Sequence, residues 1–186
     1  IIMIKKKGLL LVISGPSGAG KGTVCKELLE RNPEFKLSVS ATTRAPREGE
    51  VDGESYFFLT KEKFSEMIGQ GGFLEYAQIY SNFYGTPKGP VMKYLEEGSD
   101  VILEIEMQGA RQVKEMYPEA VLIFVLPPSL EELRNRLTTR GTETEEQVNE
   151  RLSTSLEEIK QVKDYNYFIF NENNKTTESA KIIEDI

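Results

Sequence analysis

The chain contains no histidine and a single cysteine, Cys25. Without histidine, imidazole acid–base catalysis and most transition-metal sites are excluded. One cysteine excludes an intrachain disulfide and a cysteine-rich zinc site. Basic residues are in the minority, 23 Lys and Arg against 30 Asp and Glu, for a net charge of −7. That balance argues against a nucleic-acid partner, which calls for a basic surface. Long apolar runs are also missing. LLLVIS, residues 9–14, follows a lysine triplet much as a leader would. It is too short, however, and it enters a glycine-rich loop with no small-residue cleavage site. No stretch reaches membrane-spanning length. A cytoplasmic protein without a membrane partner is expected. The 186 residues are enough for one domain with a sizeable core.

What is present is a β/α rhythm with one interruption. Residues 8–14 form a continuous apolar run, as in a strand buried on both faces of a parallel sheet. A helix is expected over about 21–31, closed by Asn32-Pro33, then a strand over 37–40. Residues 42–55 are polar and rich in Gly and Pro. A strand at 56–59, a short helix at 61–68 and a strand at 73–79 follow, and then SNFYGTP, read as an aromatic loop. This stretch reads as an inserted lobe. The rhythm resumes with a helix at 91–97, a strand at 101–107 and a helix at 109–116. A strand at 121–126 leads to a helix capped by Ser129, with Glu132 as its capping-box partner. A long helix at 145–163, a strand at 167–170 and a helix from Ser179 complete the chain. Alternating elements of this kind predict an α/β fold, a parallel sheet with helices on both faces.

The most specific signal is GPSGAGKGT, from Gly15 to Thr23. Its glycines let successive backbone N–H groups surround a phosphate. The following helix turns its N-terminus, with free N–H groups and a positive dipole end, to the same anion. Lys21 adds a mobile positive charge. The usual pattern has Ser or Thr after the lysine to hold Mg²⁺, whereas this chain has Gly22.

Arginines form two further groups. Arg44 and Arg47 lie in the inserted stretch, where two guanidinium forks can grip a second phosphate. Arg134, Arg136, Arg140 and Arg151 surround a polar break, and helical spacing puts Arg136 and Arg140 on one face. Three cationic elements in an acidic chain suggest two phosphate-bearing substrates. The lack of an obvious general base fits an acceptor that is itself a phosphate, since its attacking oxygen already carries charge.

SGPSGAGKGT, SVSATTRAPREGEVDGESYFF, FLEYAQIYSNFYGTP, LEIEMQGA, LPPS, RGTETEE and NERL occur in this order over nearly the whole chain. In these segments the chain resembles the guanylate kinases, P-loop enzymes that phosphorylate GMP with ATP. The resemblance implies a P-loop NTPase-type core over about 3–41, 88–133 and 147–186. It also implies a mixed α/β GMP-binding lobe over about 42–87 and a small lid over about 134–146. It assigns ATP to Gly15, Pro16, Ser17, Gly18, Ala19, Gly20, Lys21, Gly22 and Thr23 of the loop, with Arg136, Arg140 and Asn171. GMP falls to Ser40, Arg44, Arg47, Tyr56, Glu75, Tyr84, Thr86 and Glu104. Catalysis falls to Lys21, Arg44, Arg140 and Arg151. Mg²⁺ would arrive with ATP and take no direct protein ligand, with Glu104 and Glu106 reaching it through water. Physics supports Glu75: guanine presents N1–H and N2–H₂ side by side, and an ionised carboxylate offers only acceptors. The alternatives are another nucleoside monophosphate kinase, such as an adenylate kinase, or an inactive guanylate kinase-like protein-binding module.

Overall fold

The structure of the protein, a computed structural model, describes residues 6–138 and 144–186. In chain order the elements begin with β1 (Leu10–Ser14), α1 (Lys21–Arg31), β2 (Lys36–Leu37), β3 (Ala41–Thr42) and β4 (Phe57–Phe58). Next come α2 (Lys61–Gly69), β5 (Phe73–Ile79), β6 (Asn82–Pro87), α3 (Lys88–Glu97), β7 (Val101–Glu104) and α4 (Met107–Met116). The remainder is β8 (Val121–Leu126), α5 (Leu130–Thr138), α6 (Glu145–Ile159), a 3-10 helix (Lys160–Asp164), β9 (Tyr167–Phe170) and α7 (Thr176–Glu184). The fold is α/β, a parallel sheet with helices on both faces and a second, smaller sheet. Among the described residues no helix is long and apolar enough to cross a membrane.

Two compact units divide the chain. One takes in residues up to Leu10, Phe35–Leu103 and Gln108–Ala120; the other takes in Leu11–Glu34, Glu104–Met107 and Val121–Ile186.

In the second unit β1 pairs in parallel with β8, with Val12 opposite Leu122, and β8 pairs in parallel with β9. All five residues of β1 are buried, which explains why it reads as unbroken apolar sequence. Its end opens directly into the glycine loop and α1. Met107, Phe124 and Leu126 pack with Ile159, Val162 and Tyr165. Leu133 and Leu137 of α5 pack with Val148 and Leu152 of α6. Thr144 caps α6 in a reciprocal pair with Gln147, satisfying two otherwise orphan N–H groups. At the far end of α1, Arg31 and Asn32 both donate to Glu184 of α7.

In the first unit β2 pairs in parallel with β7. The smaller sheet has the order β4-β3-β6-β5 and is mixed, with β3–β4 parallel and β3–β6 and β5–β6 antiparallel. Phe64 of α2 is fully buried against it, stacking on Phe73 at 4.4 Å between ring centroids and on Phe83 at 5.5 Å. At the outer edge of β5 the Gln112 amide bonds both backbone groups of Tyr76, accepting its N–H at 3.1 Å and donating to its carbonyl at 3.0 Å.

Several sequence expectations are revised, among them the strand expected over 101–107, which ends at Glu104 with α4 already begun at Met107. SNFYGTP is no loop: residues 82–87 are β6, which follows a turn at Tyr80 and pairs with β5 residue for residue from Glu75 to Ile79. Residues 37–40 hold only the end of β2, since backbone pairing moves to β3 at Ala41. α3 starts at Lys88 rather than 91, with Pro90 tolerated in the first turn, where its missing N–H has no helical partner. The expected helix to 163 changes to a tighter 3-10 turn at Lys160, and α7 starts at Thr176, three residues before Ser179.

Candidate active site

The glycine loop lies between β1 and α1 and lines a cavity of about 610 Å³. Glycine is required at two of its positions. Gly20, the N-cap of α1, has φ +89°, and a Cβ there would lie 2.3 Å from Asn171 Nδ2. Gly15 has φ +147°, and a Cβ there would meet the Val125 carbonyl oxygen at 2.3 Å. α1 has no side-chain cap, so its first N–H groups remain open to an anion. Lys21 folds back over the loop and donates to Gly15 O at 2.7 Å, with Glu106 Oε1 at 3.8 Å.

Two groups hold the loop from outside. Asn171 Nδ2 donates to Ala19 O at 3.0 Å, and Arg136 Nη1 donates to the same oxygen at 3.2 Å. Arg136 continues to Asn171 O at 2.9 Å and Asn173 Oδ1 at 2.7 Å, and pairs with Glu132 at 2.9 Å. Asn173 and then Arg136 hold the Glu132 carboxyl below its ordinary range. Ser17 is held by α6: Arg151 donates to its hydroxyl, and its backbone N–H donates to the Glu158 carboxylate. Arg151 and Glu158 are seven residues apart, two turns on one helix face. Burial raises the Glu158 pKa, and its Oε2 has no hydrogen-bond partner.

Glu104 and Glu106 line the same cavity. Glu104 is exposed as a residue, but its carboxylate is crowded at the loop, and this desolvation raises its pKa against the opposing pull of Lys21. Its Oε1 lies 3.4 Å from the place of a Cβ on Gly22. That is ordinary contact distance, so space alone does not demand glycine there. A hydroxyl at position 22 would instead sit beside this carboxylate.

The other candidates lie in the first unit. Glu75 on β5 is buried, 8 % exposed, and Thr86 Oγ1 donates to its Oε1 at 2.7 Å. Burial raises the Glu75 pKa, and the hydrogen bonds from Thr86 oppose that rise. Gly109 makes room for it: a Cβ there would lie 2.7 Å from Glu75 Oε2. Arg44 lies 5.4 Å from the Tyr56 ring and 5.8 Å from that of Phe58, and Tyr56 meets Tyr84 edge-on at 6.3 Å. Arg47 is exposed on the same loop, and Ser40 O accepts the Phe57 N–H.

The structure thus gathers the loop with Arg136, Arg151, Asn171, Glu104 and Glu106 in one unit. Ser40, Arg44, Arg47, Tyr56, Glu75, Tyr84 and Thr86 belong to the other. Glu104, expected with the GMP residues, lies beside the phosphate loop. Arg140 falls outside the described residues. Sequence reasoning missed Glu50, Gly109 and Glu158. The first two lie inside segments already notable, PREGE and MQGA. Glu158 carries no local signal beyond its helix.

The guanylate kinase family model matches residues 7–186. The guanylate kinase of Clostridioides difficile is 70% identical over 99% of this chain and 89% of its own length. That of Caldanaerobacter subterraneus is 59% identical over 91% of this chain and 82% of its own. Among solved structures, the guanylate kinase of Anaplasma phagocytophilum aligns at a TM-score of 0.74 and 35% identity, covering 98% of this chain and 86% of that one. Taken with the phosphate loop and the buried, hydroxyl-paired carboxylate, these matches show that the chain belongs to the guanylate kinase family.

Proposed function

We propose that the protein transfers the γ-phosphoryl group of ATP to GMP, and to dGMP, forming ADP and GDP or dGDP. The observation that carries the choice of acceptor is Glu75. A buried carboxylate already holding one hydroxyl keeps acceptor capacity for the adjacent N1–H and N2–H₂ of guanine. Adenine presents an acceptor at N1, which would face the carboxylate. A polar site of this kind discriminates by about 10⁴ or more.

The loop, Lys21 and the N-terminus of α1 bind the ATP phosphates. Arg44, Arg47, Tyr56 and Tyr84 bind the GMP phosphate, with Ser40 and Thr86 helping to seat the nucleotide. An oxygen of that phosphate attacks the γ-phosphorus, and the bond to the β-phosphate oxygen breaks as ADP leaves. The nucleophile needs no base, so catalysis rests on position and charge neutralisation. Lys21, Arg44, Arg140 and Arg151 supply the cations. Arg136 and Asn171 keep the loop in shape and border the adenine side. Residues 42–87 serve as the GMP lobe and 134–146 as the lid.

The oxygen donors of Glu104 and Glu106, in the same cavity as the loop, suit a hard cation that keeps its waters. They would hold Mg²⁺ through water, and the ion when bound neutralises charge on the phosphates. The cytoplasm is the proposed location.

A coupled assay of ATP against GMP, dGMP, AMP, UMP and dTMP tests the reading. GMP and dGMP should be used, and AMP by about four orders of magnitude less. Comparable turnover of AMP would overturn it.

A further inference from the structure

Glu50 closes the loop that carries the two GMP-side arginines. Its carboxylate takes both end nitrogens of Arg44, Nη2 at 2.8 Å from Oε1 and Nη1 at 3.0 Å from Oε2. Oε2 also accepts the backbone N–H of Arg47 at 2.7 Å, and the Glu50 N–H donates back to Arg47 O at 3.1 Å. One side chain therefore fixes the guanidinium of one arginine and the backbone of the other. Arg44 Nη1 donates in addition to Ala45 O at 2.7 Å.

A guanidinium has five N–H donors in a planar fork. Glu50 and Ala45 occupy three of them, all on the two terminal nitrogens. The side edge, made by Nε and the second hydrogen of Nη2, is not used by Glu50. The Tyr84 hydroxyl lies within hydrogen-bonding reach of the same guanidinium, and the Tyr56 and Phe58 rings flank it. Arg44 is thus oriented before any ligand arrives, which removes the cost of ordering a long side chain on binding.

We propose that Glu50 is a positioning residue for the acceptor nucleotide: it holds Arg44 end-on, so that the side edge of the guanidinium, together with Arg47 and Tyr84, receives the nucleotide's phosphate. This rests on the reading of these residues as the GMP-phosphate site. The opposite role is also chemically defined. A carboxylate on an arginine fork can stand where the phosphate would bind and compete with it. The end-on geometry and the bond to the Arg47 backbone favour support, because both tie Glu50 into the loop.

Three variants of the full chain, Glu50→Gln, Arg47→Met and Tyr84→Phe, separate these outcomes. KM for GMP, KM for ATP, kcat and Tm are measured for each. Arg47→Met and Tyr84→Phe are expected to raise KM for GMP. Glu50→Gln, which keeps one acceptor but loses the charge and one arm of the fork, should raise it about tenfold. Its KM for ATP should stay at the wild-type value and its Tm should fall only slightly as the charge pair with Arg44 is lost, and Glu50→Ala should show a larger rise in KM for GMP. If Arg47→Met and Tyr84→Phe weaken GMP binding but Glu50→Gln leaves it unchanged or tightens it, the positioning role is overturned and the site reading stands. If none of the three affects GMP, both fall. A lower Tm with equal rises in both KM values would make Glu50 merely structural and overturn the proposal.

Discussion

Thr86 donates a 2.7 Å hydrogen bond to Glu75 across the β5–β6 pair, where the two residues are register partners. The strand that sequence reasoning took for a loop therefore supplies the hydroxyl that aims the carboxylate proposed to read guanine. Gly109 lies beneath it, with no room for a methyl group.

Glu75→Gln should lower kcat/KM for GMP by on the order of a hundredfold or more, because the amide turns a donor toward guanine's donors. KM for ATP should not change. Burial raises the folded-state pKa of Glu75, so the favourable contribution of the group to stability is complete below its unfolded pKa and is lost as pH rises through the folded value. The nucleotide-free variant should therefore melt higher than wild type at neutral pH, with the gain vanishing in acid. GMP affinity of the wild type should fall as pH drops through the same raised value, since only the ionised form accepts from both guanine groups. Calorimetric Tm and GMP titrations across pH 4–8 check both trends. A pH-independent difference would remove Glu75 from base recognition.

Lys21→Met should reduce kcat by about 10²–10³ and change Tm little, since Asn171 and Arg136 still hold the loop when the Lys21 bond to Gly15 O is lost. Turnover of the variant within a few-fold of wild type would exclude the ammonium from the reaction.

Glu184 ties α7 to the end of α1. Arg31 and Asn32 hold its pKa down to about 2. A depressed carboxylate stabilises the fold above its unfolded pKa, and that help is lost as pH falls through the folded value. Glu184→Gln should lower Tm at pH 7 with kcat intact. The gap to wild type should close between about pH 4.5 and 2. Parallel melting curves over that window would show that the pair contributes nothing.

Much of the second unit was legible in the sequence. β1, α1, β8 and β9 are bounded by Gly, Pro or Asn signals, and their runs are long or purely apolar. NFYGTP was not legible, because Gly and Pro locally favour a turn while its pairing with FLEYAQI is a tertiary fact. Glu50 and Glu158 were hidden for a similar reason. A carboxylate in a charged loop or on a polar helix face looks solvated until its partner is placed beside it. The loop motif, by contrast, carries its own strand and helix, so it was readable from a single segment.

The amide of Gln112 on the backbone of Tyr76 bears on how the protein behaves in crowded solution. β5 is the last strand of its sheet, and the free edge of such a strand is a template on which a second chain can add and begin an aggregate. At Tyr76 the outward N–H and carbonyl already have partners in a side chain that cannot propagate a ladder. An incoming strand would have to displace both bonds to pair there, so the glutamine acts as a built-in stop against edge-to-edge association.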